Sequence, residues 1–168
     1  MRPVILAFLL AAPLCSQPAP PVQDAFAPVR FLVGEWVGEG DGKPGAAAGG
    51  ASYRFELEGK ILVRRNHAEV AASEGRPAAH HEDLMTLFAE GGQLKAIYFD
   101  NENHVIRYGV AAVPEGVAFT SEPGPGPRFR LSYLRKAEGR VAVRFEIAPP
   151  GKPEAFSIYL EAVTRKVK

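Results

Sequence analysis

"RFRLSYLRKAEGRVAVRFEI", residues 128–147, reads as two strands folded back on one another. "KAEGR" suits a three-residue hairpin loop with Gly139 in the left-handed conformation, so Lys136 and Arg140 flank the turn. Counting back from that pair, Tyr133 opposes Val143, Leu131 opposes Phe145 and Phe129 opposes Ile147. All six residues are apolar. The other face carries Arg128, Arg130, Arg144 and Glu146. A one-residue slip would exchange the two faces. Turn chemistry and hydrophobic pattern therefore agree on one register, and the ribbon has one face that must be buried.

The same alternation extends in both directions. Strands are expected at Val33–Gly40, Ala51–Leu57, Lys60–Val70, His80–Ala89, Gln93–Asp100, His104–Val110, Val117–Ser121, Arg128–Lys136, Arg140–Ile147 and Ala155–Arg165. Short connections make neighbours antiparallel. An open next-neighbour sheet of this size leaves two edges exposed, so closure is expected. The fold class is all-β: an antiparallel up-and-down β-barrel of about ten strands, preceded by a short N-terminal helix that Asp24 caps and that runs through Leu32. Gly59 and Gly92, read as left-handed closers of three-residue loops, pair Phe55 with Ile61, Tyr53 with Val63, Phe88 with Leu94 and Leu84 with Tyr98. "VPEG" at residues 113–116 turns the chain so that Val110 opposes Phe119.

In "YFDNENHVIRY", residues 98–108, Asn103 is the natural left-handed residue. Asp100 and His104 then flank the turn, Tyr98 opposes Ile106, and Glu102 stands at the solvated tip. Continuing the register of the preceding hairpin sets Glu82 opposite Asp100. Arg65, His67, His80, Glu82, Asp100 and His104 thereby share the inner face at the end of the barrel that collects the longer Gly- and Pro-rich loops. On the predicted outside, Leu62, Met85, Leu87, Ile97, Phe99 and Val105 form an apolar patch that signals either a homodimer, cover by the N-terminal segment, or a slipped register.

Composition narrows the function. The chain has 168 residues, net charge +1 and 23% charged residues, and no basic stripe interleaved with aromatics, which removes the electrostatic footprint of a nucleic-acid binder. Its N-terminus, "MRPVILAFLLAAPLCSQPAP", has a basic Arg2, an apolar run over residues 4–12 and a cleavage pattern ending at Ser16. Residues 1–16 are expected to be a signal peptide of an exported (periplasmic or secreted) protein, too short to span a bilayer. Lipidation at Cys15 is the lesser reading, because Leu14 stands where a lipobox has a small residue. The domain layout is then a lead and short helix over residues 17–32 and the barrel over residues 33–168, without a transmembrane segment or a cysteine in the mature chain.

Gly34-x-Trp36 opening the first strand of a meander barrel resembles the calycin superfamily of lipocalins and fatty-acid-binding proteins. The extension through Gly38 and Gly40 is similar to its nitrobindin-like, haem-binding branch. "LVRRNHAEV" (62–70), "HEDLM" (81–85), "IYFDNENHVIRY" (97–108) and "RFEIAPPGKP" (144–153) resemble uncharacterised exported bacterial proteins with a lipocalin-like domain. The resemblance implies a barrel that holds a small molecule, with Gly34, Trp36 and Arg165 forming its structural base and Arg165 stacking over Trp36. Haem is a further implication, with Tyr159 standing where nitrobindins carry an iron-ligating histidine.

The expected function is binding of an amphipathic or hydrophobic ligand inside the barrel. Arg65, His67, Glu82, Tyr98, Asp100, His104, Tyr108 and Tyr133 are the candidate ligand-binding residues, polar groups at the mouth with an apolar wall below. The same polar residues suit a wet rim without a ligand. Two facing carboxylates need a cation nearby, and Arg65 or His104 is placed to serve. An acid/base enzyme using Glu82 or Asp100 is the alternative from another class, as is a haem protein. No nucleophile elbow, phosphate loop, dinucleotide fingerprint or His-x-x-x-His motif is present, so no catalytic or metal-ligating residue is assigned and no cofactor is required.

Overall fold

The computed structural model describes residues 24–40, 47–72, 75 and 77–167. The expected signal peptide over 1–16, most of the lead, and loop residues 41–46 lie outside the described residues. Ten strands follow in the expected order: β1 (Gly34–Gly38), β2 (Ala47–Glu56), β3 (Ile61–Val70), β4 (Ala79–Glu90), β5 (Gln93–Asp100), β6 (Val105–Val113), β7 (Gly116–Ser121), β8 (Arg128–Arg135), β9 (Arg140–Ala148) and β10 (Ser157–Lys166). Each pairs antiparallel with its chain neighbours, and β1 also pairs with β10, closing the barrel.

The N-terminal helix is a single 3-10 helix, Ala27–Leu32. Asp24 Oδ1 accepts the Phe26 N–H at 3.0 Å, which sets the chain turning before Pro28. This segment plugs the base: Phe26, Val29 and Leu32 are buried, Phe26 meets Phe55 edge-on, and the Arg135 guanidinium lies 4.0 Å from the Phe31 ring centroid. Trp36 is buried beside the plug, and its indole N–H donates to the Leu32 carbonyl at 2.7 Å. The cation over Trp36 is Lys166, whose ammonium is 5.8 Å from the ring centroid. Lys166 is Trp36's cross-strand partner; Arg165 pairs with Val37 and belongs to the opposite face, so the expected Arg165–Trp36 stack is not formed.

The opening hairpin has the expected register: Tyr133 faces Val143, Leu131 faces Phe145 and Phe129 faces Ile147. The Asn103 turn also agrees, with φ +69° at Asn103 and Tyr98 facing Ile106. Val110 faces Phe119. Two registers differ by one residue. Between β2 and β3, Leu57 and Glu58 join Gly59 in the left-handed region, so the loop takes one residue more and Glu56 faces Ile61. Between β4 and β5, Gly91 and Gly92 are both left-handed (φ +59° and +78°), giving a two-residue turn in which Glu90 faces Gln93.

The two slips turn β3 and β4 over together. Leu62, Met85 and Leu87, expected outside, are completely buried in the core. Arg64, Asn66, His81 and Asp83 move to the inner face, and Arg65, His67, His80 and Glu82 to the outer one. Pairing between β3 and β4 keeps the expected parity, with His67 facing Glu82. Of the outer apolar patch, Ile97, Phe99 and Val105 remain outside.

On β10 a bulge between Ile158 and Leu160 leaves Tyr159 unpaired and changes the parity of the strand. Leu160 and Ala162 share the inner rows of Phe145 and Val143, whereas Ile158 is paired with outward Glu146.

Candidate functional site

Aromatic packing fills the base half of the barrel. Tyr53 meets Tyr133 edge-on at a centroid distance of 6.0 Å, Tyr133 meets Phe119 at 5.7 Å, and Phe119 meets Tyr108 at 6.3 Å. Tyr108 and Tyr133, expected as ligand wall, are each 2% exposed and act as core. Burial pushes the Tyr53 and Tyr133 phenols above their ordinary range, so both stay neutral.

A polar layer lies above that core. Cross-strand pairing sets Tyr53, Arg64, Met85, Tyr98 and Ile106 in one inner row, and Ala51, Asn66, Asp83 and Asp100 in the next. Arg64 donates through Nη1 to Asp83, and Asn66 Nδ2 donates to the other Asp83 oxygen at 2.8 Å. Burial alone would lower the Arg64 pKa, but the Asp83 carboxylate beside it acts in the opposite sense, and the guanidinium stays charged. His81 reaches in from the mouth: Nε2 is 3.2 Å from the Tyr98 hydroxyl and 3.4 Å from Asp83, and Nδ1 is 3.2 Å from Glu102.

Asp100 serves its own hairpin. Its Oδ1 accepts the Glu102 and His104 backbone N–H groups at 3.0 and 2.9 Å, while Oδ2 lies 2.8 Å from His104 Nδ1 and 3.2 Å from the Tyr98 hydroxyl. Burial raises its pKa, but these bonds from the loop together outweigh that and hold the carboxyl below its usual value. His104 itself is largely exposed. Ser121 Oγ accepts the Phe129 N–H at 3.0 Å and ties β7 to β8. Among the described residues, no group of three His, Cys, Asp or Glu side chains is placed to hold a metal ion.

The mouth half has a different character. Along its inner wall β10, β1, β2 and β3 contribute small residues: Ala162, Gly38, Gly49, Ala51 and Ala68. Phe129 and Phe145 stack on the inner face of β8 and β9, with centroids 5.9 Å apart and planes 10° from parallel. Leu160 points inward yet is 47% exposed, and Ala162 is exposed as well. Tyr159 meets Phe145 edge-on but is 73% exposed on its bulge.

Arg65, His67 and Glu82 do come together, on the outer face. Two rows of outward side chains cross β1 to β5: Val167, Glu35, Ser52, Arg65, Leu84 and Phe99 in one; Val37, Gly50, His67, Glu82 and Asn101 in the other. The groove between them encloses about 720 Å³. Its floor is backbone, because the row between points into the barrel.

Sequence reasoning missed Arg64, Asn66, His81 and Asp83. The signal that finds them is the Gly-Gly pair at 91–92, which favours a two-residue turn, together with the improbable outward cluster of Leu62, Met85 and Leu87.

The fold and site define a closed ten-stranded up-and-down barrel, consistent with a calycin-like architecture, with a filled base and a more open mouth. No protein-family model matches the chain, and no curated protein does either.

Proposed function

We propose that this protein binds a small amphipathic molecule in the mouth half of its barrel. The observation that carries the reading is the inward-facing but solvent-exposed wall at Leu160 and Ala162, opposite small residues and beside the Phe129–Phe145 stack. Apolar side chains that face a barrel interior without being covered are what a ligand's hydrocarbon part would bury, at about 25 cal/mol per Å². Tyr98, His81 and Asn66 stand on the polar side and suit the ligand's polar end. The leader-like pattern of residues 1–16 supports an exported protein in this reading.

Native mass spectrometry of protein purified from its host, followed by organic extraction, tests the proposal. The expected result is a co-purifying organic molecule that is lost from a Leu160→Glu variant of unchanged fold. An equal load of that molecule in Leu160→Glu, or an empty wild-type protein that takes up no amphipathic compound, overturns it.

A further inference from the structure

The outer groove across β1 to β5 is separate from the barrel mouth. It runs roughly 20 Å across the strands, given their 4.8 Å spacing. Its depth depends on Gly50, whose Cβ would come within 3.5 Å of His67 Cε1 and 2.6 Å of the Trp36 carbonyl oxygen. A larger residue there would close the gap between the ridges.

The charges in the groove are unevenly committed. Glu35 accepts from Arg54 at 2.7 Å, and Glu82 lies 3.4 Å from His80 Nε2. Arg65 makes no ion pair among the described residues, and neither does His67. One uncompensated guanidinium thus stands in a groove whose apolar surface comes from Leu84, Phe99 and Val167, the last two 43% and 48% exposed. A guanidinium binds a carboxylate through paired, charge-assisted hydrogen bonds. The apolar side chains on the same ridge would cover a hydrocarbon tail.

We propose that this groove is a second binding site, for an alkyl monocarboxylate whose carboxylate meets Arg65 and whose chain lies against Leu84 and Phe99. The site does not draw on the mouth: Arg65 and Phe99 belong to the face opposite Leu160 and Phe145.

Titration of the full chain with sodium decanoate, followed by backbone amide NMR, tests this. Amides of Gly50, Arg65, Leu84 and Phe99 are expected to shift together. Arg65→Gln, at an exposed position, is expected to weaken decanoate binding about tenfold, in line with loss of a charge-assisted pair. 1-Decanol is expected to bind at least as weakly as decanoate binds that variant, and Leu160→Glu to leave the groove shifts unchanged. Equal binding of decanol and decanoate, full affinity in Arg65→Gln, or shifts confined to Phe145 and Leu160 would each overturn the proposal. So would groove shifts that follow protein concentration rather than decanoate, since the groove would then be a contact between copies of the chain.

Discussion

Asp83 stands directly across from Asp100 on the neighbouring strand, with both side chains nearly excluded from solvent. Two carboxylates this close stay ionised together only when each has its own compensation. Asp83 has Arg64 and Asn66; Asp100 has the N–H groups of its loop and the His104 imidazole. The pair resembles the facing Glu82 and Asp100 that the sequence suggests, displaced by one residue, with Arg64 in place of Arg65.

Removing the cation alone should be costly. Arg64→Leu leaves the Asp83 charge buried without its partner, and a loss of about 3–5 kcal/mol is expected in urea unfolding. Arg64→Leu with Asp83→Leu should recover most of it. A single-variant loss below about 1 kcal/mol would mean the pair is solvated. The Tyr133 hydroxyl is buried with no hydrogen-bond partner among the described residues, so Tyr133→Phe should leave stability unchanged or raise it by about 1 kcal/mol.

Acid should act through Asp100. Its folded pKa lies below the ordinary 3.8, so its contribution is fully present above that value and is lost as pH falls through the lower folded one. Asp100→Asn should therefore be less stable than wild type near neutrality, with the gap narrowing on acidification below pH 3.8. Thermal unfolding from neutral pH down to about pH 2 measures this. A gap independent of pH would show that the carboxylate's charge is not what holds the hairpin.

Backbone approach sets a further contrast between glycines. A Cβ on Gly116 would lie 1.9 Å from the Tyr133 carbonyl oxygen, whereas one on Gly124 would meet nothing within 4 Å. Gly116→Ala must displace β7 from β8, and a loss of about 1–3 kcal/mol or more is expected. Gly124→Ala should change stability by less than about 0.5 kcal/mol. Equal effects in chemical denaturation would count against this β7–β8 geometry.

Legibility differed from hairpin to hairpin for a physical reason. In β8 and β9, Arg and Glu alternate with Phe, Leu, Tyr and Val, so only one face can be buried and the register is readable. The Asp100–His104 turn was readable because one Asn supplies the left-handed residue. In β3 and β4 apolar residues sit side by side, Ile61 to Val63, Leu84–Met85 and Leu87–Phe88, and either face can pass for the inner one. Register then hung on how many residues each loop spends. Left-handed Leu57 and Glu58 carry no sequence mark that distinguishes them from ordinary residues. Lys166 rather than Arg165 over Trp36 is a similar matter of parity at a strand end.

By itself the sequence determined ten alternating strands, their next-neighbour order and the closure that order demands, because these depend on local periodicity and turn residues. Only the tertiary structure decided which of two adjacent arginines enters the barrel. Arg64 is inside because Leu62, Met85 and Leu87 are buried on the same face, and its charge is tolerated because Asp83 arrives from the next strand. Arg65 is left on the outer wall beside Leu84 and Phe99, a non-local outcome that no alternation within β3 could specify.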